Sequence, residues 1–235
     1  MLPKSLEKKL KTHFPNAQSG KSLSSAYLYE LEQLGISLSK VLYATSLCSD
    51  DANIASMEFS DKLLGPFRLG GLAGLPMTGI TGMKAFASHI PDAGTAFIFY
   101  GPHIGIDDDG RMGFMRRPGQ AESTESCGAL KFTYDLIAKG DTDFELDSDD
   151  SQLGILKFFL SDYKDKILES KKDHVINITE AALDCTDRLL KKYIVEAKDL
   201  FVDKRIILLG GIIINTSPEI DDLVEVRNFE EFEIK

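Results

Sequence analysis

Residues 205–215 read RIILLGGIIIN, and seven of these eleven positions are Ile or Leu. Such a run is too short to cross a bilayer and too apolar and β-branched for a surface segment, so it predicts a central strand covered on both faces. Two similar runs, Val41–Leu47 and Thr95–Tyr100, predict further buried strands, and Leu223–Ile234 alternates like a final strand or sheet edge. Between them lie helical spacings at Lys4–Thr12, Ser22–Leu34, Asp51–Leu64, Met83–Ile90, Cys127–Gly140, Gln152–Tyr163 and Val175–Phe201. Ser22 is the expected cap of the second helix, and Gly35 and Gly140 are the expected stops. Strands separated by helices imply an α/β fold, with a largely parallel central sheet flanked by helices. The expectation is a single domain over 1–235, with 1–39 forming an N-terminal helical segment packed on it.

Between the strands, Phe67–Met83 (FRLGGLAGLPMTGITGM) holds five glycines among apolar residues. That is too apolar for a flexible linker and too rich in glycine for a regular helix. It predicts a buried loop where backbone approaches backbone or a bound group. Ile104–Met115 alternates around Asp108-Asp109-Gly110 and predicts a hairpin, followed by a polar loop at Gln120–Glu125.

The chain carries 37 acidic against 27 basic residues, a net charge of −10. Nucleic acid and anionic membrane surfaces are therefore poor partners, since both need a clustered basic face. Three cysteines make a disulfide framework improbable and favour a reducing compartment. With neither a long apolar span nor a signal-peptide pattern, the expectation is a soluble cytoplasmic protein, or one in an organelle interior if a targeting peptide is missing from the sequence.

Three donor residues stand where strands end or a helix begins: Cys48 after the first strand, His103 after the second, and Cys127 before Gly128. In a doubly wound sheet, ligands bind at the carboxyl ends of the strands. Two thiolates and an imidazole meeting there would make a zinc site with one position open for water. A helix start would also lower the Cys127 thiol pKa. Asp50, two residues from Cys48, could bind the metal or hydrogen-bond a water on it, and a cation would decide which. Arg68 and Arg117 are the candidates for that cation. His89 is a weaker alternative to His103, Cys185 reads as core, and His13 and His174 read as solvent-exposed.

The segments LCSDD (47–51), the glycine-rich 67–83, ASHIPDAG (87–94), YGPHIGIDDDGRMG (100–113), RPGQ (117–120) and SCGA (126–129) recur in one order. Together they resemble the limiting-CO2-inducible B/C protein family, the theta-class carbonic anhydrases, across roughly Val41 to Leu136 and the GGIIINT segment. The resemblance implies a fold and zinc site similar to those of beta-class carbonic anhydrases, and a homodimer. The beta-class Cys-x-Asp-x-Arg motif is matched by Cys48 and Asp50, but Ala52 stands where the arginine would be. His103 and Cys127 would take the remaining ligand roles, with a long insertion between them.

What the resemblance implies is a carbonic anhydrase, a lyase that reversibly hydrates CO2 to bicarbonate by a metal-bound hydroxide. Its substrates would be CO2 and bicarbonate and its cofactor Zn2+; the apolar, glycine-rich Leu69–Met83 is the candidate pocket wall, since CO2 is small and uncharged and needs little polar recognition. The alternative is a catalytically silent zinc-containing member acting as an inorganic-carbon binding or partner protein. A zinc hydrolase with a larger substrate would need a wide polar cleft. A nucleotide binder ranks last, because Gly70-Gly71 and Gly74 lack the GxGxxG spacing.

Overall fold

The computed structural model describes residues 2–50, 52–53, 59–143, 147–169 and 173–234. Its central sheet runs in the order β1 (Gln18–Ser19), β9 (Leu223–Glu231), β8 (Arg205–Asn215), β4 (Thr95–Gly101), β2 (Val41–Leu47), β3 (Leu64–Arg68). The pairs β3–β2, β2–β4 and β4–β8 are parallel, and β9 joins antiparallel to both β8 and β1. After a break at Pro102 the chain resumes as β5 (His103–Gly105), still parallel to β8.

Alternation along the strands sends side chains to two apolar layers. Leu42, Ala44, Ala96, Ile98, Leu208 and Ile212 pack with α1 (Lys4–His13), α3 (Gly79–His89) and α7 (His174–Glu196). On the other face, Val41, Tyr43, Phe97, Phe99, Ile207 and Leu209 pack with α2 (Gly20–Gln33) and Phe59. Coverage of both faces is the physical reason the strands read as unbroken apolar runs. The N-terminal helix contributes Leu6 and Leu10 to the first layer, and Phe14 just after it adds a third side chain.

Several boundaries differ from the sequence expectation. Ser19, not Ser22, caps α2, because its side chain accepts the Ser22 N–H. The expected 67–83 loop divides three ways: Phe67 and Arg68 end β3, Leu72–Gly74 forms a 3-10 turn, and α3 starts at Gly79. The hairpin keeps its turn at Asp107–Gly110 and an Ile106–Met112 bridge, but Ile104 is committed to β8. Part of the polar loop is strand β7 (Thr124–Glu125), paired with β6 (Phe114–Met115). The long helix ends at Glu196 rather than Phe201, giving way to a 3-10 turn at Lys198–Leu200. Of the helix expected at Asp51–Leu64, positions 51 and 54–58 lie outside the described residues, and Leu64 itself opens β3.

A third apolar cluster sits at the carboxyl end of β2 and β4. Cys48, Ala73, Leu75 and Cys127 pack there with residues of α4 (Gly128–Ala138), α5 (Ser151–Ser161) and α7. Among the described residues no helix is long and apolar enough to cross a membrane.

Candidate metal centre

Cys48 follows the last residue of β2, His103 opens β5 directly beyond β4, and Cys127 is the residue before α4. Sheet order makes β2 and β4 neighbours, so residues distant in sequence meet at one edge. One ligand atom from each of the three residues lies within 4.8 Å of the others, and all three side chains are buried. The two sulfurs are 3.9 Å apart. That is far beyond a disulfide bond, but two zinc–sulfur bonds of about 2.3 Å at a tetrahedral angle would separate sulfurs by about 3.8 Å.

His103 Nδ1 lies 2.6 Å from Asn215 Oδ1, and the Ser126 hydroxyl is 3.3 Å from the same nitrogen. Its other nitrogen, Nε2, is fully buried with no hydrogen-bond partner. A buried, unsatisfied ring nitrogen beside two thiols is costly unless something occupies the space between them. The donor set therefore fits a divalent, thiophilic metal such as zinc.

The thiols do not titrate alike. Hydrogen bonding from Cys127, against the opposing effect of burial and aided by His103, lowers the Cys48 pKa to about 4. The Ala73 N–H also donates to its sulfur at 3.3 Å. Cys127 moves the other way, raised well above the ordinary value by its hydrogen bond to Cys48 and by burial. The expectation that the helix start would lower the Cys127 thiol pKa is thus corrected: two adjacent buried sulfurs resist a second negative charge. Burial works against the charged form of His103, but the Cys48 thiolate and Asn215 outweigh it and raise its pKa.

Asp50 is placed by its neighbours. Its Oδ1 accepts the Ala52 N–H at 3.1 Å, and its Oδ2 accepts from Arg117 Nη2 at 2.8 Å while lying 3.9 Å from His103 Nε2. Arg117 is steadied in turn by Thr124 Oγ1, which accepts from Nη1 at 2.6 Å. The cation absent at Ala52 therefore arrives from the segment between His103 and Cys127. Arg68 lies exposed on the edge strand β3. His89 ends α3 and packs its ring against Phe67. Cys185 is buried in α7, its thiol pushed up to about 11 mainly by burial. His174 packs on Tyr134.

Ala73 and Leu75 pack beside Cys48, and two open cavities next to the site, among the described residues, have other walls. An apolar cavity of about 260 Å³ touches Cys127 and is lined by Phe114, Leu130, Tyr134, Val175 and Ile178. A more polar cleft of about 500 Å³ reaches Ala52, Arg117 and Asp222. Sequence reasoning missed Asn215 and Asp222. The available signal was Asn215 itself, a polar residue closing an apolar strand at the edge that carries Cys48.

The chain matches, over residues 17–233, the model of the limiting CO2-inducible proteins B/C beta carbonic anhydrases. It belongs to that family. No curated protein matches it. Among solved structures of this family, the crystal structure of PtLCIB4, a homolog of the limiting CO2-inducible protein LCIB, is similar at 30% identity. The match has a TM-score of 0.88 and covers 97% of this chain and 99% of that one. A histidine-to-alanine mutant of PtLCIB4 is similar at 29% identity and a TM-score of 0.88, with 98% of each chain covered. LCIB itself, at 21% identity and a TM-score of 0.75 over 97% and 98% of the two chains, shares the fold. The mostly parallel central sheet flanked by helices is the fold these structures share with the chain.

Proposed function

We propose that the protein is a zinc-dependent carbonic anhydrase that interconverts CO2 and bicarbonate. The observation that carries the reading is the Arg117–Asp50 hydrogen bond of 2.8 Å beside the buried Cys48–His103–Cys127 cluster. Those three side chains would hold the metal. Zinc bound by such a set lowers the pKa of water toward about 7, which supplies a nucleophile near neutral pH.

The chain's own residues do the rest. With Oδ2 committed to Arg117, Asp50 is held as a hydrogen-bond acceptor at the site's edge instead of turning in as a fourth ligand. It would orient the attacking water and receive its hydrogen bond. Ala73 and Leu75 pack beside Cys48 and keep bulk solvent from the thiolates. An uncharged substrate needs little polar recognition, so the apolar cavity against Cys127 suits CO2 better than a larger polar molecule. By family resemblance we also read the protein as a homodimer, which light scattering would show as twice the 26.0 kDa chain mass.

Stopped-flow CO2 hydration with parallel zinc analysis tests the reading. Wild-type protein should carry zinc and exceed the buffer rate, while Cys48→Ser and His103→Ala lose both. Full zinc occupancy in both variants would refute the ligand set. Zinc-loaded wild type with no rate above buffer would replace the enzyme by a silent inorganic-carbon binding protein.

A further inference from the structure

Asn215 ends β8 at the same carboxyl edge as the ligands and is fully buried. Its Nδ2 donates to the Ala52 carbonyl at 2.9 Å and to Asp222 Oδ2 at 3.2 Å. Asp222 is fixed by its other oxygen, which accepts the Thr216 N–H at 3.1 Å. Both acceptors lie on one side of the Asn215 amide, so its nitrogen must face them and its oxygen must face His103. An amide oxygen only accepts. The contact of 2.6 Å to His103 Nδ1 therefore requires the proton on Nδ1. In a neutral ring that leaves Nε2, the buried nitrogen without a partner, with its lone pair free.

We propose that Asn215 and Asp222 are positioning residues of the metal centre: Asp222 and the Ala52 carbonyl set the Asn215 amide, which fixes the His103 ring and tautomer so that Nε2 is the donor. The inference rests on the metal reading above. It also joins three strand ends, because a carboxylate beyond β8 thereby controls a ligand on β5. Outer partners of this kind are worth about 10- to 100-fold in metal affinity.

The test measures zinc affinity by chelator competition, and the protonation of the His103 ring nitrogens by 15N NMR. Asn215→Ala should bind zinc about 10- to 100-fold more weakly. Asn215→Asp should also lose affinity, since it sets a carboxylate against Asp222. The double variant Asn215→Asp with Asp222→Asn should recover part of it, because the new amide at 222 can donate to the new carboxylate, which still accepts from Nδ1, while the Ala52 carbonyl stays without its donor. Circular dichroism of the metal-free proteins checks folding, and if Asn215→Ala does not fold, the Asp pair decides. Wild-type affinity in Asn215→Ala, no recovery in a folded double variant, or a neutral ring protonated on Nε2 would each overturn the proposal. If wild type takes up no zinc, the metal reading fails, and the NMR of the metal-free protein still decides whether Asn215 sets the tautomer.

Discussion

Gly74→Ala is the sharpest probe of why the 3-10 turn beside the metal centre is built from glycine. Gly74 has φ +83, and a Cβ there would lie 2.3 Å from the Gly101 carbonyl oxygen, a backbone atom that cannot swing aside. Left-handed backbone costs an L-residue about 1–2 kcal/mol, and forcing extra volume into packed structure costs about 1–3 kcal/mol more. Gly79→Ala is the internal control, because Gly79 also has positive φ (+63) but nothing within 4 Å of the added carbon. Only the backbone cost applies there. The entropy Ala removes from the unfolded chain is common to both and cancels. Urea denaturation of the metal-free proteins should therefore show Gly74→Ala less stable than Gly79→Ala by about 1–3 kcal/mol. Since the Ala73 N–H of this turn donates to Cys48 Sγ, Gly74→Ala should also weaken zinc retention where Gly79→Ala does not. Equal destabilisation at the two positions would refute the argument that backbone approach dictates glycine at 74.

Three further outcomes follow from the geometry. In metal-free protein Cys48, whose thiol is held below the ordinary range by its hydrogen bond with Cys127, should keep more of its iodoacetamide reactivity on acidification from pH 9 to 6 than Cys185, which burial pushes up to about 11; peptide mapping by mass spectrometry would expose the opposite order. Arg117→Met removes a charge-assisted hydrogen bond to Asp50 worth about 1.5–3 kcal/mol, so CO2 hydration should fall about 10- to 100-fold, while Arg68→Met, on the exposed edge strand, should leave the rate near wild type. Tyr100→Phe deletes a buried hydroxyl that donates to Asp187 and accepts from Asn228, and should cost about 1–3 kcal/mol in urea denaturation without lowering zinc content.

Sequence alone determined the four long strands β2, β4, β8 and β9 and the place of the three donor residues. Runs such as 205–215 and 95–100 have one stable home, a sheet covered on both faces, and a polar or thiol residue just past such a run must lie at the strand's end. That local logic located Cys48 and His103, and Gly128 after Cys127 marked a helix start. Tertiary structure decided what depends on the order and register of the strands. Arg117 rather than Arg68 reaches Asp50 because β6 and β7 fold the segment after His103 back across the site, bridging 67 positions of sequence. The Cys127 thiol is raised rather than lowered because the Cys48 sulfur and burial outweigh the helix start that flanks it. Asn215 and Asp222 enter the site only because β8 lies beside β4 and β5, an adjacency formed by long-range pairing that no local pattern of residues encodes.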